Sequence, residues 1–216
     1  MSEIVIRDIT IEDIPAIRDV VRDVWAWEAV FDDDAIVEAC VAMYFAPVLH
    51  EATFGKVAAL DGTVVGVIFG VVDNDAPCFK HLSYDLTPYI ITLLQAKDSD
   101  RQGMCEYTTK QLATYKALIH DIEDEYDGTL DFLALSKAAQ GKGIGKLLWL
   151  ALKTHFEEKN VRKVYLFSDN ECNFGFYESQ GFTRRRNKSM CVSFARGEDK
   201  TEQYLYEYML DGATPV

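Results

Sequence analysis

The sequence lacks most of the features that would announce a chemistry directly. Its five cysteines, Cys40, Cys78, Cys105, Cys172 and Cys191, are odd in number and widely spread, with no C-x-x-C pair. That pattern argues against a disulfide framework and against a structural zinc site. The four histidines, His50, His81, His120 and His155, stand alone and no H-E-x-x-H occurs, so no metal is implied. No apolar run approaches the length of a membrane span, and the first residues lack the basic-then-apolar pattern of a secretory signal. No membrane partner is therefore expected, and a cytoplasmic location is the default. Positive charge is scarce: 22 Lys and Arg against 35 Asp and Glu leave a formal net charge of −13. Nucleic acid is not an expected partner on that balance, because phosphate contacts need basic surface.

What is present is a chain of 216 residues, 49% hydrophobic and 12% aromatic. That is enough for one sizeable core, and nothing in the sequence forces a second domain, so 1–216 is read as a single unit. The most informative stretch is Gln140-Gly141-Lys142-Gly143-Ile144-Gly145. Before it, Leu130–Leu135 is short, apolar and bounded by Asp127-Gly128, which predicts a strand. After it, Ile144, Leu148, Ala151, Leu152 and Phe156 recur at helical spacing. Glycines at a strand-to-helix junction leave free N–H groups and the positive helix end available to an anion. The same spacing also fits a glycine-rich turn with no ligand. Two known phosphate loops fail on it. A P-loop would need glycine at Gln140 and a hydroxyl at Leu147, and a dinucleotide fingerprint would need glycine at Lys146.

A second block, Asn170-Glu171-Cys172-Asn173-Phe174-Gly175-Phe176-Tyr177-Glu178-Ser179-Gln180-Gly181-Phe182, follows one helix and one strand later. Together the two blocks resemble the GNAT superfamily of acyl-CoA-dependent N-acyltransferases, which carry R/Q-x-x-G-x-G/A and then an Asn- and Tyr-bearing helix closed by Gly-Phe. The resemblance implies an α/β fold, a mixed sheet with helices on both faces, and an N-acetyltransferase that uses acetyl-CoA and no metal. By position it implies that the backbone of Leu133, Ala134 and Leu135 holds the pantetheine arm and the acyl carbonyl. Gln140, Gly141, Lys142, Gly143, Ile144, Gly145 and Lys146 would hold the pyrophosphate. Asn170 would touch the cofactor arm, as would Asn173, where many members have a small residue. Tyr177 would protonate the departing thiolate, the other reading being a packing tyrosine in a Phe-rich helix. Members usually carry proline where this chain has Lys137.

The remaining elements read in order. Ile4–Arg7 alternates as an edge strand. Thr10 with Asp13 makes a box-like start for a helix whose apolar face is Ile14, Ile17, Val21 and Val24. Asp32-Asp33-Asp34 starts a second helix, expected to end before Pro47. Trp25, Trp27, Phe31 and Tyr44 belong either to the core or, on the resemblance, to an acceptor pocket. Asp61-Gly62 joins Lys56–Leu60 to Thr63–Val72 as a hairpin. Residues 73–127 exceed what compact family members have between strands three and four. They read as a helical insertion, with helices over Pro88–Ala96 and Thr108–Tyr126, the latter burying Leu112, Tyr115, Ile119, Ile122 and Tyr126. Val161–Phe167 is a strand parallel to the one before the loop. Cys172–Gln180 is a helix stopped by Gly181, and Phe182–Arg186 and Gln203–Leu210 are strands flanking a loop at Arg196–Asp199.

Lys137, Lys142, Lys146 and Lys153 surround the loop, and Arg162, Lys163, Arg184, Arg185, Arg186 and Lys188 follow it. They read either as a rim for an anionic ligand or as solvated surface. Asp131 and Glu106 are the candidate bases. Cys172 lies near a predicted helix start, which lowers a thiol pKa, yet no histidine lies near it for nucleophilic chemistry. The acceptor is expected to be a primary amine of a small molecule or protein. A cationic amine would suit the acidic insertion and the acidic N-terminal helices. A non-catalytic acyl-CoA-binding module is the competing class, and monomer or homodimer stays open.

Overall fold

The structure, a computed structural model, describes residues 3–25 and 27–210. The chain divides into two compact units, one holding residues up to Leu93 with Leu130–Asn160, the other Leu94–Thr129 with Val161 onward. Seven strands follow the order β1-β2-β3-β4-β5-β7-β6 in a mixed sheet, and six α-helices accompany them among the described residues. No described helix is long and apolar enough to cross a membrane.

In the first unit, β1 (Ile4–Arg7), β2 (Phe54–Leu60) and β3 (Thr63–Val72) pair antiparallel. The β2–β3 turn forms as expected. Asp61 and Gly62 both adopt positive φ, 50° and 84°, as the turn that matches strand twist requires. Helix α1 (Ile14–Trp25) follows a capping box in which Asp13 accepts from Thr10 N at 2.8 Å and from both Arg7 nitrogens. Helix α2 (Asp34–Glu51) is capped by Asp33, whose carboxylate accepts from Ala35 N at 2.9 Å. It runs through Pro47 where the sequence predicts a stop. The break costs about 3 kcal/mol, but Phe45, Val48 and Leu49 around it are buried, and each contributes about 1.5–3 kcal/mol by burial.

Alternation along β3 assigns the two faces of the first unit's sheet. Phe69 meets Phe45 and Phe132 on the α2 side. Gly66 and Gly70, on the other face, lie against Leu135 and Leu152. Leu135 belongs to β4 (Gly128–Leu135) and Leu152 to α5 (Ile144–Glu158). A methyl at Gly70 would lie 2.4 Å from Leu152, so glycine there lets the helix settle close to the strand. Trp25 stacks on Phe132 at 5.1 Å, with Tyr44 beside it, while Trp27 and Phe31 are buried. All four aromatics pack within the first unit.

In the second unit, Gly128 and Thr129 of β4 pair parallel with Val164 and Tyr165 of β5 (Lys163–Asp169). β7 (Gly197–Met209) lies between β5 and β6 (Thr183–Phe194), antiparallel to both. The strand expected over Phe182–Arg186 thus continues to Phe194, and the presumed loop at Arg196–Asp199 is a tight hairpin that begins β7 at Gly197. The extension was hidden because Asn187–Ser189 and Glu198–Lys200 are polar; the first segment is held extended by pairing with Glu202, Gln203 and Tyr204, the second by pairing with Cys191, Val192 and Ser193.

Between Val72 and β4 lie α3 (Thr87–Gln95) and α4 (Asp98–Ile119). The latter starts ten residues before the predicted Thr108, and Leu112, predicted buried, is 56% exposed. Leu118, Ile122 and Tyr126 do pack with Leu205, and Tyr115 stacks on Phe167 at 4.1 Å. The early turns carry no apolar periodicity, because what seats them is polar or absent. A Cβ on Gly103 would meet Phe194 at 2.7 Å. Glu106 accepts from Ser193 N at 3.3 Å, and Lys110 Nζ donates to Cys191 O at 2.6 Å. Those two β6 groups point away from β7, so α4 seals a strand edge that would otherwise template further pairing. In return, Arg186 donates to the carbonyls of Leu118 and His120 at the C-terminus of α4.

Candidate active site

In the first unit the glycine segment is built from β4 outward. Ser136 N donates to Val65 O at 2.9 Å, continuing the sheet contact past the end of the strand. Lys137 N then donates to the Asp23 carboxylate of α1 at 2.7 Å, and its ammonium lies 3.5 Å from the same group. A proline at 137 would have no such N–H. Asp23 thus anchors the turn in a way this chain's lysine permits, and sequence reasoning missed it because α1 lies 114 residues away. A single 3₁₀ turn, Lys137–Ala139, leads to Gly141 and Gly143, with φ of 75° and 78°, and Gly143 caps α5. Ala139, Ile144 and Gly145 are buried anchors, whereas Gln140, Lys142 and Lys146 are exposed.

The consequence is a row of free donors. Among the described residues, no group accepts a hydrogen bond from the N–H groups of Gly141 to Lys146; the first intrahelical bond is Leu147 N to Gly143 O, 3.2 Å. A Cβ placed on Gly141 or Gly143 would meet nothing within 4 Å. Open space faces unpaired amides at the positive end of a 15-residue helix, a cradle that fits a phosphate group. The lysines contribute unevenly. Lys142 folds back onto Ala138 O at 2.8 Å, Lys137 is tied to Asp23, and Lys153 lies 3.6 Å from Glu157. Lys146 is exposed and has no ion-pair partner among the described residues.

Within β4, Ala134 is buried while Leu133 and Leu135 are half-buried. Asp131 reaches the surface but is sunk among neighbouring atoms and has no partner among the described residues. The lost hydration, reinforced by the charge of Glu51, pushes its carboxyl up to about 6. The other candidate base, Glu106, is occupied by Lys110 and Ser193, and the Lys110 contact holds its pKa below the usual carboxylate range.

In the second unit, Asp169 ends β5 and accepts from the N–H groups of Glu171 and Cys172 at 2.9 and 2.8 Å. Asn170 N donates to Glu202 O, and Glu202 N donates back to Asn170 Oδ1 at 2.7 Å. That bond uses the side-chain carbonyl of Asn170 and leaves its NH₂ as the group available for a ligand. Asn173 is exposed at the start of α6 (Phe174–Ser179) and makes no side-chain cap. The helix therefore begins two residues after Cys172. Cys172 reaches the surface, yet desolvation by the atoms crowded around it, then Asp169, pushes its thiol up to about 12, opposite to the helix-start effect expected from sequence. A thiol raised in this way is mostly protonated at neutral pH, which disfavours it as a nucleophile.

Tyr177 is half-buried among Phe176, Phe182 and Tyr206, and its hydroxyl has no partner among the described residues. Desolvation, with smaller contributions from Cys172 and Asp169, raises its pKa well above that of an ordinary phenol. It therefore keeps its proton at neutral pH. Most of the basic run that follows is spent internally. Arg162 pairs with Asp127, Lys163 with Glu125 and Glu207, Arg184 with Glu178, and Arg185 with Glu207 and Glu125. The same pairs occupy two of the insertion's carboxylates, Glu125 and Asp127. Among the described residues, no group of three or more His, Cys, Asp or Glu is arranged to hold a metal ion.

The profile of the acetyltransferase (GNAT) family matches residues 17–182, which include both the glycine cradle and Tyr177. The chain belongs to the GNAT acetyltransferase family. No curated protein matches the sequence of this GNAT member. Solved structures share its fold at low identity. The ribosomal-protein-S18-alanine N-acetyltransferase of Escherichia coli superposes with a TM-score of 0.56 at 14% identity, over 98% of this chain and 97% of its own. YncA of Salmonella typhimurium, a putative acetyltransferase solved with acetyl-CoA, gives 0.54 at 16%, over 98% and 96%. The PaiA N-acetyltransferase of Thermoplasma acidophilum, solved with coenzyme A, gives 0.52 at 15%, over 96% and 99%.

Proposed function

We propose that this GNAT protein transfers an acetyl group from acetyl-CoA to a primary amine of a small molecule or protein. The observation that carries the reading is the row of unpartnered N–H groups from Gly141 to Lys146, opening on empty space at the start of α5. When bound, acetyl-CoA supplies an activated thioester. The chain's part is to bind and orient it and to manage protons. The amides of the cradle hold the pyrophosphate, with Gln140 and Lys146 at its rim. The backbone of Leu133, Ala134 and Leu135 aligns the pantetheine arm, and the NH₂ of Asn170 and the side chain of Asn173 bind along it. Two solved structures of the same fold that hold coenzyme A or acetyl-CoA support acetyl-CoA as the co-substrate.

Tyr177 is assigned as the proton donor to the departing sulfur. A phenol held protonated by desolvation, with its hydroxyl otherwise unengaged, suits that role. Asp131 is assigned as the base that takes the ammonium proton. With a carboxyl at about 6 it is mostly ionised at pH 7 yet basic enough to accept. Its charge, with that of Glu51, also favours an amine that is cationic in solution. These two groups favour an enzyme over a binding module.

The test is thiol release from acetyl-CoA against polyamines, aminoglycosides, amino acids and peptide N-termini, with wild type and Tyr177→Phe side by side. At least one amine should support turnover. The variant should lose on the order of 10² to 10⁴ in rate with CoA affinity unchanged. Tight CoA binding with no turnover on any amine would return the chain to the binding-module class.

A further inference from the structure

Helix α6 has only six residues, buries none of them, and has no side-chain cap at its start. Such a short helix is not stable by itself, so its rotational setting must come from outside. At its C-terminal end a Gly181 turn closes it, with Phe182 N donating to Tyr177 O at 3.0 Å and Gly181 at φ 95°. That fixes where the helix stops and leaves its outer face to be held by something else.

The holding group is a three-residue polar lock. Tyr206, at the centre of β7, is fully buried. Its hydroxyl donates to Glu178 Oε1 at 2.7 Å and accepts from Arg184 Nε and Nη2 at 2.9 and 2.6 Å. Arg184 Nη2 also reaches Glu178 Oε1 at 3.2 Å. The guanidinium carbon lies over the second unit's rings, 3.8 Å from the Tyr204 centroid and 5.1 Å from that of Phe174, the first residue of α6. Arg184 stands directly opposite Tyr206 across the β6–β7 ladder. A bulge just after it, at Arg185, interrupts the register and sends Arg185 to Glu207 instead. One strand residue thus grips both ends of α6, at Phe174 and at Glu178.

Glu178 is the residue next to Tyr177, and the Tyr177 and Tyr206 rings lie 6.3 Å apart. We infer that Arg184, Tyr206 and Glu178 are positioning residues that set the rotation of α6 and thereby aim the Tyr177 hydroxyl. The inference rests on Tyr177 being the proton donor. A purely structural lock would behave otherwise. Glu178 and Arg184 keep 48% and 35% of their side-chain surface exposed, and exposed ion pairs contribute little to stability. Their loss should therefore show in turnover and hardly in melting or in cofactor binding.

The experiment is a double-mutant cycle on acetyl-CoA turnover, with CoA affinity by calorimetry and melting temperature as parallel readouts. Tyr206→Phe and Glu178→Ala are each expected to lower kcat about ten- to a hundredfold, the scale at which small misplacements act. CoA affinity should stay within about twofold of wild type. Glu178→Gln, which keeps an acceptor oxygen, should recover most of the rate. In a Tyr177→Phe background, neither Tyr206→Phe nor Glu178→Ala should lower the rate further, because the aimed hydroxyl is already gone. Losses that multiply in the double variant, or a wild-type rate in Glu178→Ala, overturn the lock while leaving Tyr177 as the donor. A wild-type rate in Tyr177→Phe itself overturns the donor assignment, and the lock's catalytic role with it.

Discussion

Replacing Gly143 with alanine separates what the cradle does for the fold from what it does for a ligand. Gly143 sits at φ 78°, where an L side chain is strained by about 1–2 kcal/mol. No described atom lies within 4 Å of the added methyl, so strain is the whole cost to the fold. For a chain of this size that lowers the melting temperature by about 2–4 °C per kcal/mol. Gly62 supplies a matched control, since its φ is 84° and its Cβ also meets nothing within 4 Å, but it lies in the β2–β3 turn. Gly62→Ala and Gly143→Ala should therefore destabilise alike. They should differ in CoA affinity. The methyl on Gly143 occupies the space in front of the free amides, and losing one charge-assisted hydrogen bond there costs about 1.5–3 kcal/mol. That is roughly ten- to a hundredfold in Kd. Calorimetric titration of CoA into both variants, with melting curves, reads both quantities. Equal CoA affinity in the two variants would refute the cradle, whatever the melting curves show.

Other consequences are direct. The Asp131 carboxyl is raised from its ordinary value to about 6, so the folded protein holds that proton more tightly than the unfolded chain; stability attributable to it is lost as pH rises toward 6. Asp131→Asn should therefore melt higher than wild type at pH 7–8, and wild-type turnover should fall as pH drops below about 6 while the variant loses that limb; a variant with the wild-type pH profile removes Asp131 from the mechanism. Replacing Glu106 and Lys110 together by alanine should uncover Ser193 N and Cys191 O on the β6 edge, and light scattering should then detect a larger mass than that of wild type. An unchanged mass across the concentration range would mean that α4 is not what guards the edge.

The sequence alone determined the elements whose information is local. The Asp61-Gly62 turn, the Thr10–Asp13 box, the glycine segment at a strand-to-helix junction and the Gly181 stop all formed where residue chemistry demanded them. Each depends on a backbone conformation that few residues adopt or on contacts within a few positions. The Q-G-x-G-x-G block and the Tyr177 block sufficed to suggest the family, because an anion cradle needs its glycines at fixed spacing. What only the tertiary structure decided depends on partners distant in sequence. Helix α2 continues through Pro47 because its neighbours are buried on both sides of the break. The polar start of α4 is helical because it meets the edge of a strand more than 80 residues later, at Cys191 and Ser193. The Cys172 thiol is raised and not lowered because local desolvation and Asp169 outweigh a helix start that lies two residues further on. The arginines of β6 read as a ligand rim until their partners are seen, carboxylates for Arg184 and Arg185 and backbone carbonyls for Arg186, since a charge in sequence carries no record of its partner. Whether a side chain is spent on its own fold or left free for a ligand is settled by packing.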